Sequence, residues 1–254
     1  MNISVLTICT RDKLRDHPRK LRREDFASGQ RRLGREQELA HLAAPAGAFY
    51  TGLPQRRLGE GLAVGRAAGL RVDLWILSAG YGLIHEAMPV VPYDCSFNGL
   101  HAAALAAWAR HLAVPDAAPL LLSAHADLRL VLLTEPYLRA CALPPDQPLG
   151  APTVFVTSHR TASIVPQGAC AWVLRRDDVG RFRAPAVALR QVIGARVLRA
   201  LATDGEPALA RLLAAGESWR EELSSQRIAA TCGKPMKSPP CDCVRPTSSP
   251  VSTP

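Results

Sequence analysis

Five short runs of the chain are apolar at nearly every position, which is the pattern of a strand buried on both faces. They span residues 3–8, 72–77, 128–133, 153–157 and 169–174. Strands of this kind are typical of mainly parallel sheets whose two faces are covered by helices. The pattern therefore predicts a mainly parallel central sheet.

Stretches with the apolar spacing of amphipathic helices lie between or after these runs, at residues 58–68, 100–112, 185–202 and 207–223. The helix over 185–202 has the clearest limits, because Pro185 favours a first turn and Asp204-Gly205 a helix end. Strands that alternate with helices along a chain form α/β folds. We therefore predict an α/β three-layer sandwich.

The composition changes after about residue 224, where proline, serine and threonine replace apolar residues. Such a segment buries too little apolar surface to offset the entropy of ordering itself. We predict a single α/β domain over residues 1–224 and a disordered Pro/Ser/Cys tail over residues 225–254. Cys232, Cys241 and Cys243 in the tail lack the C-x2-C pairs of a structural zinc site, so we predict no metal.

The remaining composition indicates a globular protein of the cytoplasm. The 254 residues are 48% hydrophobic, yet no unbroken apolar run reaches the roughly 18 residues that a membrane span requires. The first residues do not have the pattern of a secretory signal. The seven cysteines are irregularly spaced, which indicates reduced thiols. We expect no membrane association and no cofactor, and the sequence leaves the oligomeric state open.

Positive charge is concentrated near the start of the chain. The formal net charge is +9, and residues 11–35 contain ten basic and four acidic residues, a net of +6. This Arg-rich segment, an insertion at about 11–40, suits a polyanionic partner, with Arg19, Lys20, Arg22 and Arg23 as candidate nucleic-acid-binding residues. The alternative is a solvated basic face, in a protein whose arginine content reflects a GC-rich genome.

Several common catalytic motifs are missing from the sequence. It contains neither a Walker loop, G-x-x-x-x-G-K-[ST], nor a nucleophile elbow, G-x-S-x-G. Both absences argue against P-loop NTPase and α/β-hydrolase chemistry.

The segment that follows the second predicted strand has the composition of a ligand-binding loop. Ser78, Gly80, Tyr81 and Gly82 come directly after the strand, and a Pro-Tyr-Asp turn containing Tyr93 follows. Small residues at the carboxyl end of a strand let backbone N–H groups converge on an anion, and ligands of open α/β sheets lie outside these ends. The alternative is that the glycines shape a turn and the tyrosines are packing residues.

This segment also resembles a known family. The pattern S-A-x-Y-G-L followed by P-Y-D is similar to the signature of the bacterial peroxide-stress YaaA-like family and of related uncharacterised domains. Cys9-Thr10 with Lys13, and the segment 49–52, resemble its other landmarks. The match lies in residues 3–13, 48–58 and 75–97, about a fifth of the chain. The resemblance implies an α/β fold with a cleft at the strand ends, nucleic acid as a ligand, and relatives among tRNA base-modifying enzymes.

Further polar residues follow the other predicted strands. The residues after the third strand are Thr134, Glu135 and Tyr137, and those after the fourth are Thr157, Ser158, His159 and Arg160. In a parallel sheet these residues would meet Cys9, Thr10 and Arg11, with the segment 78–81, on one edge. Carboxylate, imidazole, guanidinium and hydroxyl groups in one crevice suit a phosphorylated or nucleobase ligand. The alternatives are a helix-start charge for Glu135 and a loop residue without a role for His159.

Asp94 is the leading candidate for a catalytic carboxylate, with Glu135 and His159 beside it. Cleavage of a glycosidic bond builds positive charge on the sugar, which a nearby carboxylate stabilises. Turn formation or helix capping by Asp94 is the alternative. We expect a nucleic-acid- or nucleotide-interacting α/β protein that acts at a nucleobase or glycosidic bond. Two alternatives stay open: a non-catalytic DNA- or RNA-binding stress or defence protein, and a small-molecule nucleotide enzyme.

Overall fold

The computed structural model describes residues 1–224 and contains one six-stranded sheet with two short strand pairs beside it. The strands are β1 (Asn2–Ile8), β2 (Leu21–Arg22), β3 (Ala44–Pro45), β4 (Arg71–Ser78), β5 (Gly82–His85), β6 (Pro89–Val90), β7 (Tyr93–Asp94), β8 (Leu128–Val131), β9 (Thr153–Ser158) and β10 (Cys170–Leu174). The order in the main sheet is β10-β9-β8-β1-β4-β5. All neighbours in it are parallel except β5, which pairs antiparallel with β4. The predicted α/β class and mainly parallel sheet are confirmed.

Helices cover both faces of this sheet. They are α1 (Gly29–Glu38), α2 (Ala46–Phe49), α3 (Leu53–Ala67), α4 (Ala102–His111), α5 (Val114–Ser123), α6 (Glu135–Ala140), α7 (Asp178–Arg181), α8 (Leu189–Asp204), α9 (Glu206–Ala214) and α10 (Trp219–Ser224). Helices α3 and α8 pack together on one face, and α4, α5 and α6 on the other. The three layers of the predicted sandwich are therefore present.

Side-chain contacts fix which face each helix covers. On the α8 face, Gln191 donates a hydrogen bond from Nε2 to Oγ1 of Thr7 in β1, at 3.2 Å. On the opposite face, Arg129 of β8 donates to the carbonyl oxygens of Leu122 and Ala124 at the end of α5, at 2.5 and 2.8 Å. Neighbouring side chains of a strand point to opposite faces, so β1 and β8 are covered on both sides.

Several predicted helix limits are wrong. The helix predicted over 207–223 is two helices, α9 and α10, because Gly216 adopts a left-handed conformation with φ of 51° between them. Pro185 precedes a short 3-10 turn, and α8 begins only at Leu189. Helix α3 begins at Leu53, five residues before its predicted start. The predicted disorder of 225–254 lies outside the described residues.

The Arg-rich insertion is part of the folded domain. Its strand β2 pairs in parallel with β7, so Leu21 lies beside Tyr93 and Arg22 beside Asp94. Phe26 of the insertion is buried and contacts the ring of Tyr81 edge-on, with centroids 5.3 Å apart. The insertion therefore lies against the segment that follows β4 and β5. Within residues 1–224, no helix is both long and apolar enough to cross a membrane.

Candidate ligand-binding site

The order of the strands places one crevice at a position where α/β proteins bind ligands. Numbered along the chain, the five parallel strands have the spatial order 2-1-3-4-5. The connection from β1 leads to β4 on one side, and the next connection crosses to β8 on the other. The strand order therefore reverses between β1 and β8, and ligands of doubly wound sheets bind outside the carboxyl ends of the strands at this point.

A cavity of about 610 Å³ lies at the carboxyl end of β1. Its lining combines basic, acidic, aromatic and small polar side chains from three parts of the chain: Ile8, Cys9, Thr10, Arg11, Asp12, Lys13, Asp16, Lys20, Tyr93, Asp94, Cys95, Ser96, Asn98 and Tyr137. The volume is in the range of sites for small molecules and cofactors. We call this space the switch-point cavity.

A contact between Cys9 and Tyr137 joins the two strands beside the reversal. The Cys9 Sγ and the Tyr137 Oη are 3.2 Å apart, and both side chains are buried. Cys9 follows β1 directly, whereas Tyr137 lies in α6, which follows β8. The ring of Phe97 packs edge-on against Tyr137, with centroids 5.1 Å apart. This wall of the cavity is therefore held by packing and by a hydrogen bond.

A chain of hydroxyl groups lies behind the cavity. The Oη of Tyr93 is 2.8 Å from the Ser78 Oγ and 2.9 Å from the Tyr50 Oη. The backbone N–H groups of Gly80 and Tyr81 donate to the same Ser78 oxygen, at 3.2 and 3.1 Å. A hydroxyl oxygen has two lone pairs, so the Ser78 hydroxyl hydrogen is left to donate to Tyr93. Burial raises the pKa of Tyr93 well above 10, and its phenol stays protonated.

These contacts give the segment from Ser78 to Gly82 a different task from the one expected. The N–H groups of Gly80 and Tyr81 already bind Ser78, and an anion would find no free donor on either residue. Gly80 is required by packing, because a Cβ there would lie 2.8 Å from the Tyr93 ring. Gly82 has φ of 73° and would place a Cβ 2.6 Å from the Leu112 carbonyl oxygen. The segment therefore packs against Tyr93 and binds its hydroxyl group.

Asp94 reaches the cavity from strand β7. Its side chain is 70% exposed, and its Oδ2 lies 4.0 Å from the Nζ of Lys20. Helix α4, the next along the chain, is capped by His101, whose ring accepts from the Ala104 N–H. The capping alternative for Asp94 is therefore excluded, because the residue lies in a strand and another side chain caps the helix.

Glu135, Ser158, His159 and Arg160 do not line the switch-point cavity. Glu135 begins α6 and pairs with Arg139 one turn later, at 3.1 Å, which agrees with the alternative of a helix-start charge. His159 lines a separate cavity of about 380 Å³ beside Arg175 and Trp219. For Ser158, His159 and Arg160 the reason is the sheet order, because β8 separates the end of β9 from the end of β1. The expected meeting of all strand ends at one site does not occur.

The four candidate nucleic-acid-binding residues have different surroundings. Arg19 pairs with Glu38 at 3.0 Å, and Lys20 pairs with Asp16 at 3.0 Å. The guanidinium of Arg23 lies over the Trp108 ring, 4.6 Å from its centroid. Within the described part of the chain, Arg22 forms no ion pair with a carboxylate.

The sequence analysis missed several residues of the cavity wall. Asp12, Asp16, Cys95 and Ser96 line the cavity without having been selected as ligand-binding residues. Position along the chain could have indicated Cys95 and Ser96, which follow Asp94 directly. Tyr137 was expected to meet Cys9 because it follows the third predicted strand, and the structure places the two side chains 3.2 Å apart in the cavity wall.

Comparisons with family models, with curated proteins and with solved structures find no match to this chain. Among the described residues, no group of three or more histidine, cysteine, aspartate or glutamate side chains is placed to hold a metal ion.

Proposed function

We propose that the switch-point cavity binds a nucleotide, either free or within a nucleic acid, and that the protein acts at its nucleobase or glycosidic bond. The observation that carries the proposal is the position of the cavity where the strand order reverses, with lysines, tyrosines and an exposed carboxylate in one lining. Lysine binds phosphate as a point charge, and the buried rings of Tyr93 and Tyr137 give the cavity an apolar wall for a sugar or base.

Asp94 supplies the chemistry in this proposal. As a glycosidic bond to a base breaks, positive charge develops on the sugar ring. A carboxylate at the cavity wall stabilises that charge or orients the attacking water. The Nζ of Lys20 lies 4.0 Å from the Asp94 Oδ2 and contacts the carboxylate from one side. Strand β7 fixes the backbone of the residue through its pairing with β2.

The resemblance to the YaaA-like family is part of the same proposal. Its motif residues lie far apart in the sequence, yet Cys9, Lys13, Tyr93 and Asp94 all line this one cavity. Ser78 contacts Tyr93 from behind. Motifs that gather at one cavity favour a shared ligand-binding role over four unrelated packing roles.

The test is release of a base from nucleotides, DNA and tRNA by the wild-type chain and by Asp94→Asn. Asp146→Asn is the matched control, since Asp146 is exposed and lies away from the cavity. We expect release by the wild type and the control, with a loss of about 100-fold or more in Asp94→Asn. Absence of release from every substrate would refute the glycosidic-bond function, and equal release by all three chains would clear Asp94.

A second candidate function is non-catalytic binding of DNA or RNA in stress or defence, favoured by the net +6 charge of residues 11–35. Binding through phosphates is independent of sequence and weakens steeply with salt. Under this alternative, nucleic acid binds the insertion with a steep salt dependence, and Asp94→Asn changes nothing. A small-molecule nucleotide enzyme would instead turn over free nucleotides and ignore polymers.

A further inference from the structure

The loop after β1 carries a series of backbone donors beside the switch-point cavity. The N–H groups of residues 10–13 form no hydrogen bond with any part of the described chain, residues 1–224. Residues 8–13 all line the cavity. Successive backbone N–H groups at a strand end make concave binding sites for anions. This loop therefore has free backbone donors, whereas those of Gly80 and Tyr81 are bound to Ser78.

Contacts on both sides hold the loop in place. The Thr10 hydroxyl donates to the Asp12 carbonyl oxygen at 2.9 Å and accepts from the Gly52 N–H at 3.2 Å. Gly52 permits this approach, because a Cβ at that position would lie 2.6 Å from the Thr10 Cβ. The N–H groups of Leu14 and Thr51 bind the facing carbonyls of Phe49 and Asp12 at 2.7 and 3.1 Å. The donors are therefore fixed before any ligand binds.

Lys13 adds a cation whose partners leave most of its donors unused. Its Nζ donates to the Arg11 carbonyl oxygen at 3.1 Å and lies 4.6 Å from the centroid of the Tyr93 ring. No carboxylate of the described residues lies within 4.0 Å of it, and an ammonium group has three hydrogens to donate. Lys20, which lines the same cavity, is already paired with Asp16. Burial lowers the pKa of Lys13, and a bound anion would offset that cost.

The charges of the lining restrict where an anion can lie. Three basic side chains, Arg11, Lys13 and Lys20, face three acidic ones, Asp12, Asp16 and Asp94. The formal charges of the lining cancel, so the cavity does not attract anions in general. A negative group is therefore favoured only where the donors are concentrated, at the Lys13 ammonium and the free N–H groups of residues 10–13.

We propose that the N–H groups of residues 10–13 and the Lys13 ammonium form a phosphate subsite for the 5′-phosphate of a free nucleotide. This inference rests on the proposed function and specifies its substrate class. A phosphate on the loop directs the sugar and base toward Tyr93 and Asp94 within the same cavity. Its volume of about 610 Å³ accommodates one small-molecule ligand of this size.

Calorimetric titration tests the subsite with four ribonucleosides, their 5′-monophosphates and inorganic phosphate, on the full chain. We expect one monophosphate to bind at least about tenfold more tightly than its nucleoside, the gain of a charge-assisted hydrogen bond. In Lys13→Met that ratio falls to near one, whereas Lys13→Arg retains most of it. Arg71→Met removes one exposed charge at the amino end of β4, outside the cavity, and serves as the matched control, with a change under about threefold.

Equal affinity of the wild-type chain for nucleoside and monophosphate would overturn the subsite, and so would an unchanged ratio in Lys13→Met. The wild-type ratio alone is decisive if Lys13→Met does not fold. An oligonucleotide without terminal phosphates that binds as tightly as the monophosphate, in a Lys13-dependent manner, would also overturn the free-nucleotide assignment. Lys13-dependent binding of monophosphate without base release from any substrate would uphold the subsite and refute the glycosidic-bond function.

Discussion

Ser78→Ala removes the hydroxyl group that holds Tyr93 at the wall of the switch-point cavity. Ser78 is fully buried, and its hydroxyl accepts from two backbone N–H groups and contacts Tyr93. Alanine leaves both N–H groups buried without an acceptor, at about 1–3 kcal/mol each. The hydrogen bonds from these N–H groups to Ser78 are long, at 3.2 and 3.1 Å, so we expect each cost to lie near the lower end of that range. Together with the lost bond to Tyr93, we expect the free energy of unfolding to fall by about 3–4 kcal/mol.

Urea denaturation followed by circular dichroism measures this change. Ser96→Ala is the matched control, because Ser96 also accepts a backbone N–H, from Asn98 at 3.0 Å, but is exposed. We expect the control to change the free energy of unfolding by less than about 0.5 kcal/mol. A loss below about 1 kcal/mol in Ser78→Ala would refute the reasoning, since two buried donors cannot lose their acceptor at so low a cost.

A double-mutant cycle with Tyr93→Phe tests the direction of the hydroxyl chain. If Ser78 donates to Tyr93, the two substitutions remove the same bond, and their coupling free energy is about 1 kcal/mol. Effects that add to within about 0.3 kcal/mol would show that the two hydroxyls are independent.

Three further outcomes are expected from the structure. The Asp178 carboxylate binds the buried Arg220 guanidinium at two points, with N–O distances of 2.7 and 3.1 Å, so Asp178→Ala should lower the free energy of unfolding by about 3–5 kcal/mol. A loss under about 1 kcal/mol in urea titrations would contradict this. If nucleic acid binds the insertion, Arg22→Ala should reduce affinity and lower the slope of the logarithm of the binding constant against that of salt by about one. Arg19 is paired with Glu38, so Arg19→Ala should have a smaller effect, and equal effects in binding titrations at several salt concentrations would refute the distinction. Burial raises the pKa of the Cys95 and Cys141 thiols from 9.0 to about 12, so the folded chain favours neutral thiols and the free energy of unfolding should decline as pH rises above 9. In urea titrations from pH 8 to 10 this decline should be smaller in Cys141→Ala, and an identical decline would refute the assignment.

The sheet could be predicted from the sequence because its central strands are apolar on both faces. Strand β5 was missed, since Gly82–His85 is short and lies in a segment interpreted as a loop. Helix α5 was missed because it contains Pro119, a residue that normally ends a helix. Strand order follows from packing between distant segments, and no local pattern shows which two strands flank the point of reversal.

The candidate site was predictable in part, because several of its residues directly follow or adjoin strands that the sequence predicts. Cys9, Lys13, Tyr93 and Asp94 follow or adjoin strands near the reversal and do line one cavity. His159 also follows a strand, but β9 is separated from β1 by β8, so the residue faces another cavity. Whether a backbone N–H is free depends on side chains elsewhere, and only the structure shows that Ser78 occupies the N–H groups of Gly80 and Tyr81.

The walls of the switch-point cavity come from three stretches of chain, represented by Lys13, Tyr93 and Tyr137, that meet only after folding. A ligand that fits the cavity consequently has no counterpart site in the unfolded chain, and its binding free energy adds to the stability of the fold. By mass action a ligand at 100 times its Kd adds about 2.7 kcal/mol, a rise in Tm of about 5–11 °C for a domain of this size. A melting-temperature screen of small anionic and aromatic compounds can therefore find the natural ligand before the reaction is known.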